Sequence, residues 1–343
     1  MRLVPTPPTF DDVWRFESLL RAFQRARRAK RGRGGEPAFY RDLEDNLLRL
    51  SAELRGRTFR PDPYRFFTLW NKKERLVSEA SFRDRVVHHA LVAALEPTFE
   101  ARFIRHSYAC RKGKGQHVAV QEARRLAGEF PYFLKMDVRH YFDCVSHDVL
   151  VGILADCGFD DGTLWLCRTL LANAVVPGLD PGLGLPIGNL TSQIWANVYL
   201  DTLDHHVRDE RGVGAYLRYM DDMLAFGHDK ESLWLLAADV SRFCRERLGL
   251  ELKVKATVVA PVLEGVPWLG FRVFPGLVRV DGAGRRRFQK KLGASWRRAA
   301  VSPVTEDAEV SRGASMCGHL FQADSCALRR ATLWRLDMRA RRA

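Results

Sequence analysis

The chain has 343 residues, of which 46% are hydrophobic, and a net charge of +14. So much apolar material excludes a globally disordered polypeptide. No apolar run reaches the 18 or so residues of a membrane span, and seven scattered cysteines without a C-x-x-C pair exclude a disulfide framework.

In chain order, residues 10–56 read as helical, because Trp14, Phe16, Leu19, Leu20 and Phe23 recur at helical spacing. A basic, Gly-rich linker follows, then a second helix over 37–55 carrying Leu43, Leu47, Leu48, Leu50 and Leu54. Residues 58–81 break into short, Pro-bounded, strand-like pieces, and a long helix is predicted over 82–100. Buried strands are predicted at 132–138 and 216–227, helices at 189–210 and 229–248, and further strands over 251–280. The tail from 285 to 343 is helical and basic. Strands and helices alternate without a regular β-α-β repeat, so the expected class is α+β.

Charge is unevenly placed. Residues 1–35 hold nine Lys and Arg against three acids, and residues 276–343 hold fifteen against six, which leaves the middle near neutral. A neutral body with two basic flanks suits a protein that does chemistry on a polyanion. With no secretion signal at the N-terminus, the expected location is the cytoplasm.

The chemistry is expected around Leu217–Gly227, where Asp221 and Asp222 lie between two apolar runs of strand length. A pair of acids there is ordinarily only a turn. This turn, however, lacks the Gly that tight hairpins prefer, and apolar flanks make adjacent carboxylates costly unless a cation neutralises them. Asp137 ends a second buried strand. Carboxylates from two strand ends make a site for hard divalent ions, most naturally Mg²⁺, with Mn²⁺ as a substitute. Two such ions serve phosphoryl transfer.

On these residues the sequence resembles the reverse transcriptases, on the group II intron-like branch. The Tyr219-Met220-Asp221-Asp222 hairpin, the Asp137 strand with Tyr141-Phe142, and residues 184–204 look like palm motifs. Residues 75–91 and 107–117 look like fingers motifs, and 250–259 and 266–273 like the last palm strands and the primer grip. The resemblance implies a right-hand polymerase. Residues 1–57 would be a basic helical N-terminal extension, 58–280 the fingers and palm, and 281–343 a basic helical thumb-like region.

The resemblance also implies roles. Asp137, Asp221 and Asp222 would be the catalytic metal ligands, together with the backbone carbonyl of Val138. Tyr141, or Phe142 beside it, would lie under the sugar and exclude a ribose 2′-hydroxyl. Lys73, Arg75 and Arg111 would clamp the triphosphate, and Lys255 would protonate pyrophosphate. Gly188 would let the backbone approach the nucleotide closely. Trp268, Leu269, Gly270 and Phe271 would hold the primer end. Arg285, Arg286, Arg287, Lys290 and Lys291 would grip the template–primer backbone in a salt-dependent way.

The segment Ile187–Gln193 departs from the usual reverse transcriptase pattern: Ile187 stands where Gln is usual and Gln193 where Pro is usual. This form resembles the enzymes of diversity-generating retroelements, which copy a template RNA with frequent errors at adenines. An aliphatic Ile187 cannot make the polar contact that Gln would, so geometric checking should weaken. Implied partners are a template RNA, a cDNA primer–template, deoxynucleoside triphosphates and a small basic accessory variability protein. Two alternatives are a group II-like or phage-defence reverse transcriptase of ordinary fidelity, and an inactive RNA-binding module.

Overall fold

The computed structural model describes residues 7–28, 30–70, 74–301, 318 and 320–340. Lys73 lies outside the described residues. Short helices α1 (Asp11–Trp14) and α2 (Phe16–Arg27) open the described chain. The apolar face of α2, with Leu19, Ala22, Phe23 and Ala26 buried, rests on α5 (Phe82–Arg102). The helix expected over 37–55 is two, α3 (Glu36–Arg41) and α4 (Leu43–Arg55), because Asp42 leaves helical geometry with φ −115° and ψ 46°. Between α4 and α5 stands a hairpin of β1 (Arg65–Trp70) and β2 (Glu74–Glu79). Helix α5 begins at Ser81, whose side chain accepts a hydrogen bond from the Asp84 amide, a standard N-cap.

The centre is a four-stranded antiparallel sheet in the order β4-β5-β3-β6, made of β3 (Tyr132–Asp137), β4 (Tyr216–Tyr219), β5 (Asp222–Gly227) and β6 (Val258–Pro261). Strand side chains alternate between faces, and both faces of this sheet are buried. Leu134, Met136, Met223 and Ala225 face a core shared with α5, α10 (Leu190–His205) and α11 (Lys230–Leu248). Phe133, Leu217, Leu224 and Phe226 face a second core with α6 (Gln116–Ala127) and a three-stranded sheet of β7 (Val266–Trp268), β8 (Phe271–Phe274) and β9 (Leu277–Val280).

Helices α6, α7 (Tyr141–Cys144), α8 (His147–Ala155) and α9 (Asp161–Ala172) were not foreseen from the sequence. The helix expected over 189–210 ends in a π turn at His206–Glu210. The basic tail forms α12 (Gly282–Val301) and α13 (Cys326–Ala340). Among the described residues no helix is long and apolar enough to cross a membrane.

Candidate active site

Antiparallel register brings the three acids to one end of the sheet. Tyr219 pairs with Asp222 across a two-residue loop, Met220–Asp221, and Asp222 pairs in turn with Asp137 on β3. Met220 has φ +56°, the left-handed value that such a loop normally gives to Gly. Placing a longer side chain there costs on the order of 1–3 kcal/mol, so the surroundings must hold it. Beyond the strand end, the Val138 amide donates to the Asp221 carbonyl at 3.4 Å, and Val138 bridges Leu252.

The carboxylates are half-buried and repel one another. Burial first, then the Asp137 and Asp222 carboxylates, push Asp221 up to about 6. Burial also raises Asp222, against the pull of Lys135, whose Nζ lies 3.6 Å from its Oδ1. Lys253 is ion-paired with Asp137, while Asp221 forms no salt bridge among the described residues. A site with surplus negative charge and hard oxygen donors fits divalent cations of the Mg²⁺ type. Among the described residues no three acidic, imidazole or thiol groups are gathered into a metal cage. An ion here would therefore complete its shell from outside the chain, as Mg²⁺ does with substrate phosphates and water.

Several expected site residues stand elsewhere. Tyr141 is 2% exposed and its hydroxyl donates to the Ala196 carbonyl, so it belongs to the core and cannot lie under a sugar. Phe142, the next residue round the short helix α7, is only partly buried. Arg111 is not free to clamp a triphosphate. Its guanidinium binds both oxygens of Glu100 at 2.9–3.1 Å and donates to the carbonyls of Ile104 at 2.7 Å and Ser107 at 2.9 Å. Lys255 is exposed on a 3-10 turn, and Lys253 is the lysine beside Asp137. Arg75 lies exposed on β2 opposite Leu69.

The Ile187–Gln193 segment is tied to the β1–β2 hairpin. The Ser78 amide and hydroxyl both donate to the Ile187 carbonyl, and Asn189 Nδ2 donates to the same hydroxyl at 3.0 Å. Gly188 has φ +121°, and an added Cβ would come within 2.5 Å of the Ser78 carbonyl oxygen. The close approach that requires glycine is thus to β2. Gln193 is exposed, its Oε1 3.7 Å from the Cys110 thiol.

Trp268 and Phe271 pair across β7–β8, both almost fully buried, and Leu269 and Gly270 form the turn with φ +49° and +85°. Gln116 donates to the Leu269 carbonyl. Arg285, Arg286, Arg287, Lys290 and Lys291 are all exposed on α12.

Sequence reasoning missed Lys253 and Ser78. The first could have been found: in an extended Lys253-Val254-Lys255 stretch either lysine can lie at the site, and the Lys253 amide bond to the Asp137 carbonyl at 2.8 Å selects the nearer. Ser78 carried no local signal.

The family described as reverse transcriptase (RNA-dependent DNA polymerase) matches residues 62–273. A putative COX1/OXI3 intron 1 protein of Saccharomyces cerevisiae is 30% identical over 169 residues, 48% of this chain and 20% of that protein. The group II intron-encoded protein LtrA of Lactococcus lactis is 24% identical over 178 residues, 48% of this chain and 28% of that protein. The chain thus spans less than a third of the length of either relative. Among solved structures, telomerase from Candida albicans superposes with a TM-score of 0.50 at 10% identity, covering 80% of this chain and 55% of that one. The α+β fold is that of a right-hand polymerase.

Proposed function

Since the chain belongs to the reverse transcriptase family, we propose that it is an RNA-directed DNA polymerase of the group II-like kind, extending a DNA primer along a template RNA. The observation that carries this reading is the pairing of Asp137 with Asp222 at adjoining strand ends, with Asp221 in the turn beside them. Asp137, Asp221, Asp222 and the Val138 carbonyl would hold two Mg²⁺ ions, which Mn²⁺ can replace. Such ions supply activation of the primer hydroxyl and neutralisation of charge on the departing pyrophosphate.

The chain's own residues do the rest. Lys253, ion-paired with Asp137, would meet charge developing on the phosphates. Phe142 offers the apolar wall that excludes a 2′-hydroxyl. Lys73 and Arg75 would approach the triphosphate, and the Trp268–Phe271 turn would seat the primer end. The exposed cations of α12 would follow the nucleic-acid backbone, so binding falls steeply with salt.

Copying is further read as error-prone at template adenines, within a diversity-generating retroelement served by a small basic accessory protein. What supports this is Ile187 itself, an aliphatic side chain on a main chain clamped to Ser78. The test of the general reading is Mg²⁺-dependent deoxynucleotide incorporation on an RNA template. Asp221→Asn is expected to lose roughly 100-fold or more, and equal incorporation by both proteins overturns the assignment. A template and variable repeat pair beside the gene is expected for the retroelement reading, and its absence counts against it.

A further inference from the structure

Arg218 lies one residue before Tyr219 and is fully buried, as is its partner Asp204 on α10. Every guanidinium N–H is used. Nε donates to Asp204 Oδ1 at 2.7 Å and Nη2 to its Oδ2 at 2.6 Å. Nη2 also donates to the Asn197 carbonyl at 3.2 Å. Nη1 donates to Asn197 Oδ1 at 3.1 Å and to the Met220 carbonyl at 3.3 Å. The Tyr216 hydroxyl completes the cluster, donating to Asp204 at 3.1 Å. The main chain is held as well: the Arg218 amide donates to the His106 carbonyl, and its carbonyl accepts from the Tyr108 amide, each at 3.0 Å.

A buried ion pair is a poor device for stability alone, because well-packed apolar residues of similar volume commonly serve as well or better. What an apolar pair cannot supply is a donor aimed at the Met220 carbonyl. That bond ties the guanidinium to the main chain of the residue whose left-handed φ turns the chain into Asp221 and Asp222. Asn197 and Asp204 lie seven apart on α10, on one helical face, and fix the guanidinium from the other side.

We infer that Arg218, oriented by Asp204 and Asn197, is a positioning residue that locks the Met220 turn and so sets the placement of Asp221 and Asp222. The inference rests on the polymerase reading for its catalytic consequence but not for its structural one. The test compares the wild type with Arg218→Met/Asp204→Leu/Tyr216→Phe, which removes the charges and the dependent hydroxyl together. The triple variant is expected to melt near the wild-type temperature, yet to lose roughly 100-fold in kcat with little change in nucleotide KM. Amide hydrogen exchange over Tyr219–Met223 should quicken by roughly tenfold. Wild-type exchange and wild-type kcat in a folded triple variant overturn the inference. Should that variant fail to fold, Arg218→Lys decides: it keeps a cation for Asp204 but lacks the planar fork, and unchanged exchange in the hairpin again overturns the role. A wild-type chain that extends no primer removes the polymerase reading alone, and the exchange measurement still judges Arg218.

Discussion

Ser78 holds the main chain of Ile187 twice, by its amide at 2.7 Å and its hydroxyl at 3.0 Å, both to the same carbonyl oxygen. The backbone of the specificity segment is therefore fixed, and the side chain at 187 is the part free to differ. Ile187→Gln should restore a polar contact worth about 1 kcal/mol, a roughly fivefold fall in misincorporation opposite template adenine. Sequencing cDNA copied from a defined RNA measures this, and an unchanged error spectrum removes the role given to Ile187.

The repulsion among Asp137, Asp221 and Asp222 has a stability consequence opposite to its catalytic one. In metal-free buffer near neutral pH, Asp221→Asn removes a half-buried charge that two neighbouring carboxylates oppose. The variant is expected to melt at or above the wild-type temperature while incorporation is lost. A melting temperature clearly below wild type would mean that Asp221 carries a structural load not seen in its contacts.

Tyr141 and Phe142 separate cleanly. Tyr141→Phe deletes one buried hydrogen bond to the Ala196 carbonyl and should lower stability by about 1 kcal/mol, leaving sugar discrimination untouched. Phe142→Ala should raise ribonucleotide incorporation by roughly tenfold or more, since discrimination by clash disappears with the wall. Competition between deoxy- and ribonucleotides on one template reads both; the opposite pattern would return the gate to Tyr141.

His88 sets an acid limit on the fold. It is buried in α5, shares a 3.1 Å hydrogen bond with Thr191, and burial lowers it to about 3 from its usual 6.5. The folded state therefore resists a proton that the unfolded chain accepts. The contribution is fully present above pH 6.5 and is lost as pH falls from there toward 3, at about 1.4 kcal/mol per pH unit. Melting curves from pH 7.5 to 4.5 should show a steeper acid decline for the wild type than for His88→Gln. Parallel declines would remove His88 as the cause.

The acidic hairpin was legible because its information is local: two apolar runs, two acids, and a strand ending at Asp137. The order of the four strands was not in those runs, because it depends on which distant segments pair. What stayed hidden depended on distant partners. Arg111 reads as a free cation in a basic stretch, and only Glu100, on the end of α5, shows where its guanidinium goes. Tyr141 and Phe142 are adjacent, and only the packing of α7 against Ala196 tells which one enters the core. Helices α6, α8 and α9 mostly carry apolar packing, and their places are set by partners distant in the chain.

The residue-by-residue pairing of β3 with β5 also limits how this chain can change length over descent. One residue gained or lost within either strand would send every later side chain to the opposite face, moving an aspartate from the cleft into the core between α10 and α11. The mostly exposed stretch from 175 to 181, which lies between α9 and the 187–193 segment and belongs to no strand, has no such register to keep. Relatives of this protein should therefore differ in length there and keep a constant count through both strands, so that insertions and deletions map the site as clearly as substitutions do.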